Sequence, residues 1–97
     1  MGTAEEPPPR VVVTSKAFER DLKRLKKRGK ELSRLRPVID ALRLRRPLSH
    51  RQRDHLLTGD WQGFRDCHIG PDWLLIYCVD DNAVYLTRTG THSDIFG

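Results

Sequence analysis

Three strand-like runs of seven residues each, Gly63 to Ile69, Trp73 to Val79 and Ala83 to Thr89, are separated only by Gly70-Pro71-Asp72 and Asp80-Asp81-Asn82. Both separators are turn-formers: proline presets the backbone angle, while aspartate and asparagine bond to their own backbone and tolerate left-handed conformations. Runs this close together pair with their sequence neighbours, which predicts an antiparallel meander. Such a sheet needs an apolar cover on at least one face.

The cover lies upstream. Phe18, Leu22 and Leu25 recur at helical spacing on an otherwise charged segment, with Ser15 placed to cap it and Gly29 to stop it. Leu32, Leu35, Val38, Ile39 and Leu42 form a second stripe, so two amphipathic helices make a hairpin across Gly29. Pro37 lacks a backbone donor, which predicts that the second helix starts late or kinks near Arg36. Ahead of both helices, Arg10 to Thr14 is β-branched and reads as a short strand, and Pro47 to Arg53 reads as a polar loop. The expected class is α+β: one N-terminal strand, a two-helix hairpin, then a three-stranded antiparallel meander. The helices pack on one face of the sheet and leave the other free for a site.

A chain of 97 residues can bury one useful core, so residues 10–97 are expected to be a single domain. Residues 1–9 are small, acidic and Pro-rich, and predict a flexible tail. No apolar run approaches the roughly 20 residues of a membrane span. The N-terminus carries neither the basic nor the apolar region of a secretory leader, so no membrane partner and a cytoplasmic address are expected. Cys67 and Cys78 are too far apart for a CxxC motif and read as reduced, partly buried thiols without chemistry.

Charge is divided unevenly. Residues 15–46 hold thirteen Lys or Arg against four acids, whereas residues 47–97 hold four against seven, within an overall net charge of +5. A basic helical half attracts polyanions, with nucleic acid the favoured partner and an acidic protein segment the second. Lys23, Lys26 and Lys27 are the candidates for docking on RNA.

The second half carries the groups suited to RNA chemistry: Asp54, His55, Arg65, Asp66, His68, Asp72, Arg88, His92 and Asp94, with Trp61, Trp73 and Phe96. Histidine exchanges protons near neutral pH, and RNA supplies its own nucleophile, the ribose 2′-hydroxyl. A base, an acid and a cation for the phosphate therefore suffice without a metal. No HxxxH, HExxH or CxxC pair is present, and gaps of thirteen and twenty-four residues between His55, His68 and His92 carry no ligand signature. No metal and no other cofactor is expected. The turn Arg88-Thr89-Gly90-Thr91-His92 could aim amides and hydroxyls at a phosphate beside Arg88. Trp73 and Phe96 could stack on bases, while Trp61, Phe64 and Leu74 to Tyr77 read as core.

Four segments together resemble the YafQ branch of the RelE-type toxins: Arg53 to Leu56, Gly59 to Ile69, Pro71 to Tyr77 and Arg88 to Phe96. The resemblance implies a ribosome-dependent mRNA endonuclease that is silenced by a small antitoxin. It implies an active site of His55, His68, Asp72, Trp73, Arg88, His92 and Phe96. It further implies 2′-hydroxyl attack leaving a 2′,3′-cyclic phosphate. In that picture His92 is the acid, His55 or Asp72 is the base or fixes it, Arg88 stabilises the developing charge and His68 orients its neighbours. The alternative is a non-catalytic module of the same fold that binds RNA, the ribosome or the antitoxin only.

Overall fold

In the computed structural model, which describes residues 6–97, strand β1 (Val11–Thr14) leads into helix α1 (Lys16–Lys27) and, after a 3-10 turn at Leu32–Leu35, helix α2 (Arg36–Arg43). Strands β2 (His55–Leu56), β3 (Arg65–Gly70), β4 (Trp73–Val79) and β5 (Ala83–Gly90) follow, and a short helix α3 (His92–Phe96) closes the chain. Of the expected tail, residues 1–5 lie outside the described residues, and the exposed Pro8 carbonyl accepts a bond from Arg45 Nε at 3.2 Å.

Local chemistry accounts for the helix boundaries. Ser15 caps α1 as expected: its Oγ accepts the Phe18 N–H at 2.9 Å and donates to the Thr87 carbonyl at 2.8 Å, tying the helix start to the sheet. Pro37 makes α2 start late instead of kinking it. The segment Leu32–Leu35 stays a 3-10 turn and the proline falls in the first helical turn, where its missing N–H costs nothing.

The sheet has five strands in the order β1-β5-β4-β3-β2. The meander β3-β4-β5 is antiparallel as expected, and β1 joins β5 in parallel. β2, only two residues long, extends the far edge against β3. It is too short to show any alternation in the sequence. The expected loop before it contains a 3-10 turn at His50–Gln52. On one face Phe18, Leu25, Leu35, Val38 and Leu42 from the helices pack on Cys67, Trp73, Leu75, Tyr77, Val84 and Leu86. The opposite face is not bare, because Leu74 and Ile76 are fully buried there and α3 packs on β5.

Candidate active site

Two β-bulges decide which side chains reach the site. On β5, Leu86 stands opposite Tyr77 and Arg88 opposite Ile76, so Thr87 is an extra residue with no partner of its own. A one-residue insertion flips the alternation. Without it Arg88 would follow Leu86 into the helix-covered core; with it Arg88 emerges on the opposite face and Thr89 turns inward. On β3 the matching irregularity at Ile69 follows His68, which faces Leu74. Asp66 and His68 therefore share the face of Ile76, Leu74 and Arg88.

His92 is the most firmly positioned of the expected acid–base residues. Its backbone N–H donates to Asp72 Oδ1 at 3.0 Å, and its ring Nδ1 lies 2.9 Å from the same oxygen. Asp72 sits in the β3–β4 turn at φ 46, a left-handed conformation that aspartate tolerates better than most residues. The His92 backbone N–H, then its ring, hold the Asp72 carboxyl below the ordinary carboxylate range. Since a carboxylate only accepts, Nδ1 carries the proton and Nε2 is the nitrogen left to meet a substrate. The His68 ring lies 6.3 Å from the His92 ring, and Phe96 lies 6.2 Å away on the other turn of α3.

His55, on β2, is about half exposed, and its Nδ1 lies 2.8 Å from the Arg53 carbonyl oxygen. That oxygen too can only accept, so Nδ1 holds the proton and Nε2 points inward, 3.9 Å from Asp66 Oδ2. The neighbouring Asp54 accepts from Arg65 Nε at 3.1 Å and from the Tyr77 hydroxyl, which pins the entry to β2. Asp66 itself is 4% exposed and its Oδ1 has no partner. Burial pushes its carboxyl up, and the charges of His55, His68 and His92 pull it back. Asp66 is among the groups suited to RNA chemistry, but the active-site set implied by the resemblance leaves out this buried carboxyl beside three histidines. The available signal was alternation: in Asp66-Cys67-His68-Ile69 the polar residues share one parity and the apolar ones the other.

Arg88 is anchored from α1. Asp21, 2% exposed, accepts from Arg88 Nε at 2.7 Å, Arg88 Nη2 at 3.2 Å, the Thr89 N–H at 3.0 Å and Arg24 Nη2 at 2.9 Å. It occupies the edge of β5 beyond the end of β1 and satisfies an amide that β1 leaves open. A carboxylate on the apolar stripe between Phe18 and Leu25 was the sequence signal for such a partner. Asp94 ties α3 to the same helix: it accepts from Arg28 at 2.7 and 3.1 Å and from the Thr91 N–H at 3.0 Å, and pairs with Arg24 at 3.3 Å. The Arg28 bonds, then the Thr91 N–H, hold its carboxyl far below the ordinary range. Gly90 permits this approach, since a Cβ there would stand 2.8 Å from Asp94 Oδ2. The basic helix and the chemical half are thus joined by ion pairs on the buried Asp21 and the partly buried Asp94.

Several expectations need correction. Trp73 cannot stack on a base: it is 2% exposed, and its Nε1–H donates to Thr89 Oγ1 at 2.9 Å. The amides and hydroxyls of the Arg88-to-His92 turn do not face a phosphate. Thr89 is buried against Trp73 and Leu74, while the Thr91 hydroxyl accepts the Asp94 N–H and caps α3. Leu74 to Tyr77 are core, but Trp61 and Phe64 are only half buried; they form an edge-to-face chain with Phe96, which is 43% exposed. Lys23, Lys26 and Lys27 are exposed on α1. Cys67 is buried and Cys78 half buried, both free, and burial raises both thiols. Among the described residues no group of three or more His, Cys, Asp or Glu is arranged to hold a metal ion, and no helix is long and apolar enough to cross a membrane.

Comparisons with known proteins bear on the family and the fold. The sequence is similar to the mRNA interferase toxin YafQ of Escherichia coli, 40% identical over 81 residues, which are 82% of this chain and 88% of that one. The fold is similar to a crystal structure of YafQ from Escherichia coli, with TM-score 0.86 and 37% identity over 91% of this chain and 99% of the other. It is also similar to a chain in the Escherichia coli DinJ-YafQ toxin-antitoxin complex, with TM-score 0.84 and 38% identity over 92% and 99%. A family model described as the bacterial toxin of a type II toxin-antitoxin system, YafQ, matches residues 10–97, and the chain belongs to that family of toxins.

Proposed function

We propose that this toxin is a ribosome-dependent endoribonuclease that cuts mRNA by metal-free acid–base catalysis and so inhibits translation in the cytoplasm. The observation that carries the reading is the pair of imidazoles, His55 and His92, each with Nδ1 bonded to an acceptor and Nε2 free for proton exchange. His55 Nε2 takes the proton of the ribose 2′-hydroxyl as its oxygen attacks the adjacent phosphorus. The bond from phosphorus to the 5′-oxygen breaks, and His92, as imidazolium, gives its Nε2 proton to that leaving oxygen. The products are a 2′,3′-cyclic phosphate and a 5′-hydroxyl.

Asp72 is already committed to His92, which makes it a positioning residue and leaves the base role to His55. Arg88, with two of its nitrogens on Asp21, keeps the rest of its guanidinium for the phosphorane charge. His68, whose ring lies 6.3 Å from that of His92, orients its neighbours. Phe96, exposed beside His92, meets a base. The exposed Lys23, Lys26 and Lys27 dock α1 on ribosomal RNA, an interaction that weakens with salt. A cognate antitoxin is the protein partner, as the related toxin's complex with DinJ suggests.

Inducing the chain in bacteria without an antitoxin, beside His92→Ala, tests the reading: the first arrests growth and the second does not. Equal arrest by both assigns the effect to binding alone. On ribosomes stripped with chelator and reconstituted with magnesium, the cutting rate stays unchanged; its loss overturns the metal-free step.

A further inference from the structure

A cleft of about 430 Å³ adjoins the site through His68 and is lined further by Arg34, Ser49, Arg51, Gln52 and Gly70. We propose that it is a second phosphate subsite, which holds the RNA backbone phosphate next to the one being cut; this rests on the RNA-cleaving function proposed above.

The lining is cationic and unopposed. No acidic residue among the described residues lines the cleft. Arg24, Arg28, Arg43, Arg65 and Arg88 are each paired with a carboxylate, whereas among the described residues neither Arg34 nor Arg51 is. Leaving a guanidinium unpaired beside another cation costs repulsion, and an anion relieves it. Guanidinium forks match the oxygens of a phosphate in spacing and plane.

Arg34 is also held in place before anything binds. Its Nη2 donates to the Ile69 carbonyl at 3.2 Å, and its guanidinium carbon stands 6.0 Å from the centre of the Trp73 ring. Only one of its five N–H donors is used in this way. Gly70 leaves room for this seat: a Cβ there would lie 3.1 Å from both terminal nitrogens of Arg34, so the guanidinium would have to shift by a few tenths of an ångström. Gln52 adds donors: its Oε1 accepts the Ser49 N–H at 2.7 Å, which leaves the amide NH₂ unspent. His68 links the cleft to His92, so a strand lying across the proposed acid continues into it. That continuity favours RNA over an acidic peptide.

The test is an NMR titration of the whole chain, reading the arginine Nε–Hε and histidine signals. The probe is a dinucleotide whose attacking 2′-hydroxyl is replaced by hydrogen, offered bare, with a 5′-phosphate, or with a 3′-phosphate. One terminal phosphate shifts the Arg34 and Arg51 signals and tightens binding about fivefold to tenfold. Arg51→Gln removes that gain, Gly70→Ala reduces it, and both leave the response of His92 to the bare probe intact. If neither phosphate adds anything while the bare probe still moves His92, the subsite is refuted and the RNA-cleaving function stands. If no probe moves His92 and the chain cuts no message, that function fails and the subsite with it. A polyglutamate peptide that shifts Arg34 and Arg51 as strongly as the phosphate does overturns the assignment in favour of an acidic protein segment.

Discussion

Asp21→Asn keeps the shape of the side chain and removes the charge that four donors share, from Arg88, Thr89 and Arg24. An asparagine offers one acceptor oxygen, and its NH₂ faces a guanidinium that can only donate. Breaking a fully buried ion pair costs about 3–5 kcal/mol. Arg88 is 22% and Arg24 40% exposed, and both keep a contact with Asp94, so water and Asp94 carry part of the load. The expected loss is about 2–3 kcal/mol. A domain of this size is stable by about 5–15 kcal/mol, so the variant folds, with a urea midpoint lower by roughly 1–2 M. Arg88 also loses the anchor that aims it, and kcat for cutting a ribosome-bound message falls about tenfold or more with KM little changed. Urea unfolding and single-turnover cutting, run on the same preparation, read both effects. An unchanged midpoint together with an unchanged kcat would refute the view that the buried Asp21 on α1 aims Arg88, the arginine proposed to meet the phosphate.

Trp73→Phe removes the bond to Thr89, whose hydroxyl still reaches the Leu74 carbonyl; it costs about 1–2 kcal/mol in urea and leaves cutting per folded molecule unchanged. Weaker message binding at full stability would instead restore Trp73 as a base-stacking residue. Asp66→Asn has the opposite balance. Because burial raises the folded-state pKa of Asp66 above its unfolded value, the native chain loses stability as pH rises from about 4 through the folded value. Thermal unfolding across that range then shows the asparagine variant at least as stable as the native chain at pH 7, while cutting slows because His55 loses its facing carboxyl. Lower stability at pH 7 would show that the pairing with His55 outweighs the burial. For Asp94 the shift is downward, so its contribution is present above the ordinary carboxylate range and is lost as pH falls below about 4 toward the depressed folded value. The fluorescence of Trp61, which touches Phe96, reports the release of α3, and Arg28→Gln moves that release to higher pH; an unmoved midpoint would remove Arg28 as the cause.

The fold was largely legible because its elements are marked by period and punctuation. Ser15 caps α1, Pro37 falls in the first turn of α2, and Asp72 and Asn82 close the hairpins, each where side-chain chemistry predicts. What escaped depends on pairing between distant segments. The bulge at Thr87 exists only relative to β4, yet it alone decides that Arg88 faces the site and that Thr89 receives the Trp73 N–H. β2 exists only as a partner for β3. Trp73 was read for its RNA-binding chemistry, and its burial follows from sharing a face with Leu75 and Tyr77 under the helices. Asp21 and Asp66 were visible as carboxylates, but their partners come from segments far away in the chain. The basic half reads as a docking surface, yet Arg24 and Arg28 are spent on Asp21 and Asp94, so the proposed docking by α1 rests on the exposed Lys23, Lys26 and Lys27.

The ends of the cut message test the central claim most directly. A defined message translated on purified ribosomes with the native chain should yield fragments ending in a 2′,3′-cyclic phosphate paired with fragments beginning in a 5′-hydroxyl. His92→Ala should bind the same ribosomes and yield neither. Fragments with 3′-hydroxyl and 5′-phosphate ends, or undiminished cutting by His92→Ala, would contradict 2′-hydroxyl attack with His92 as the acid.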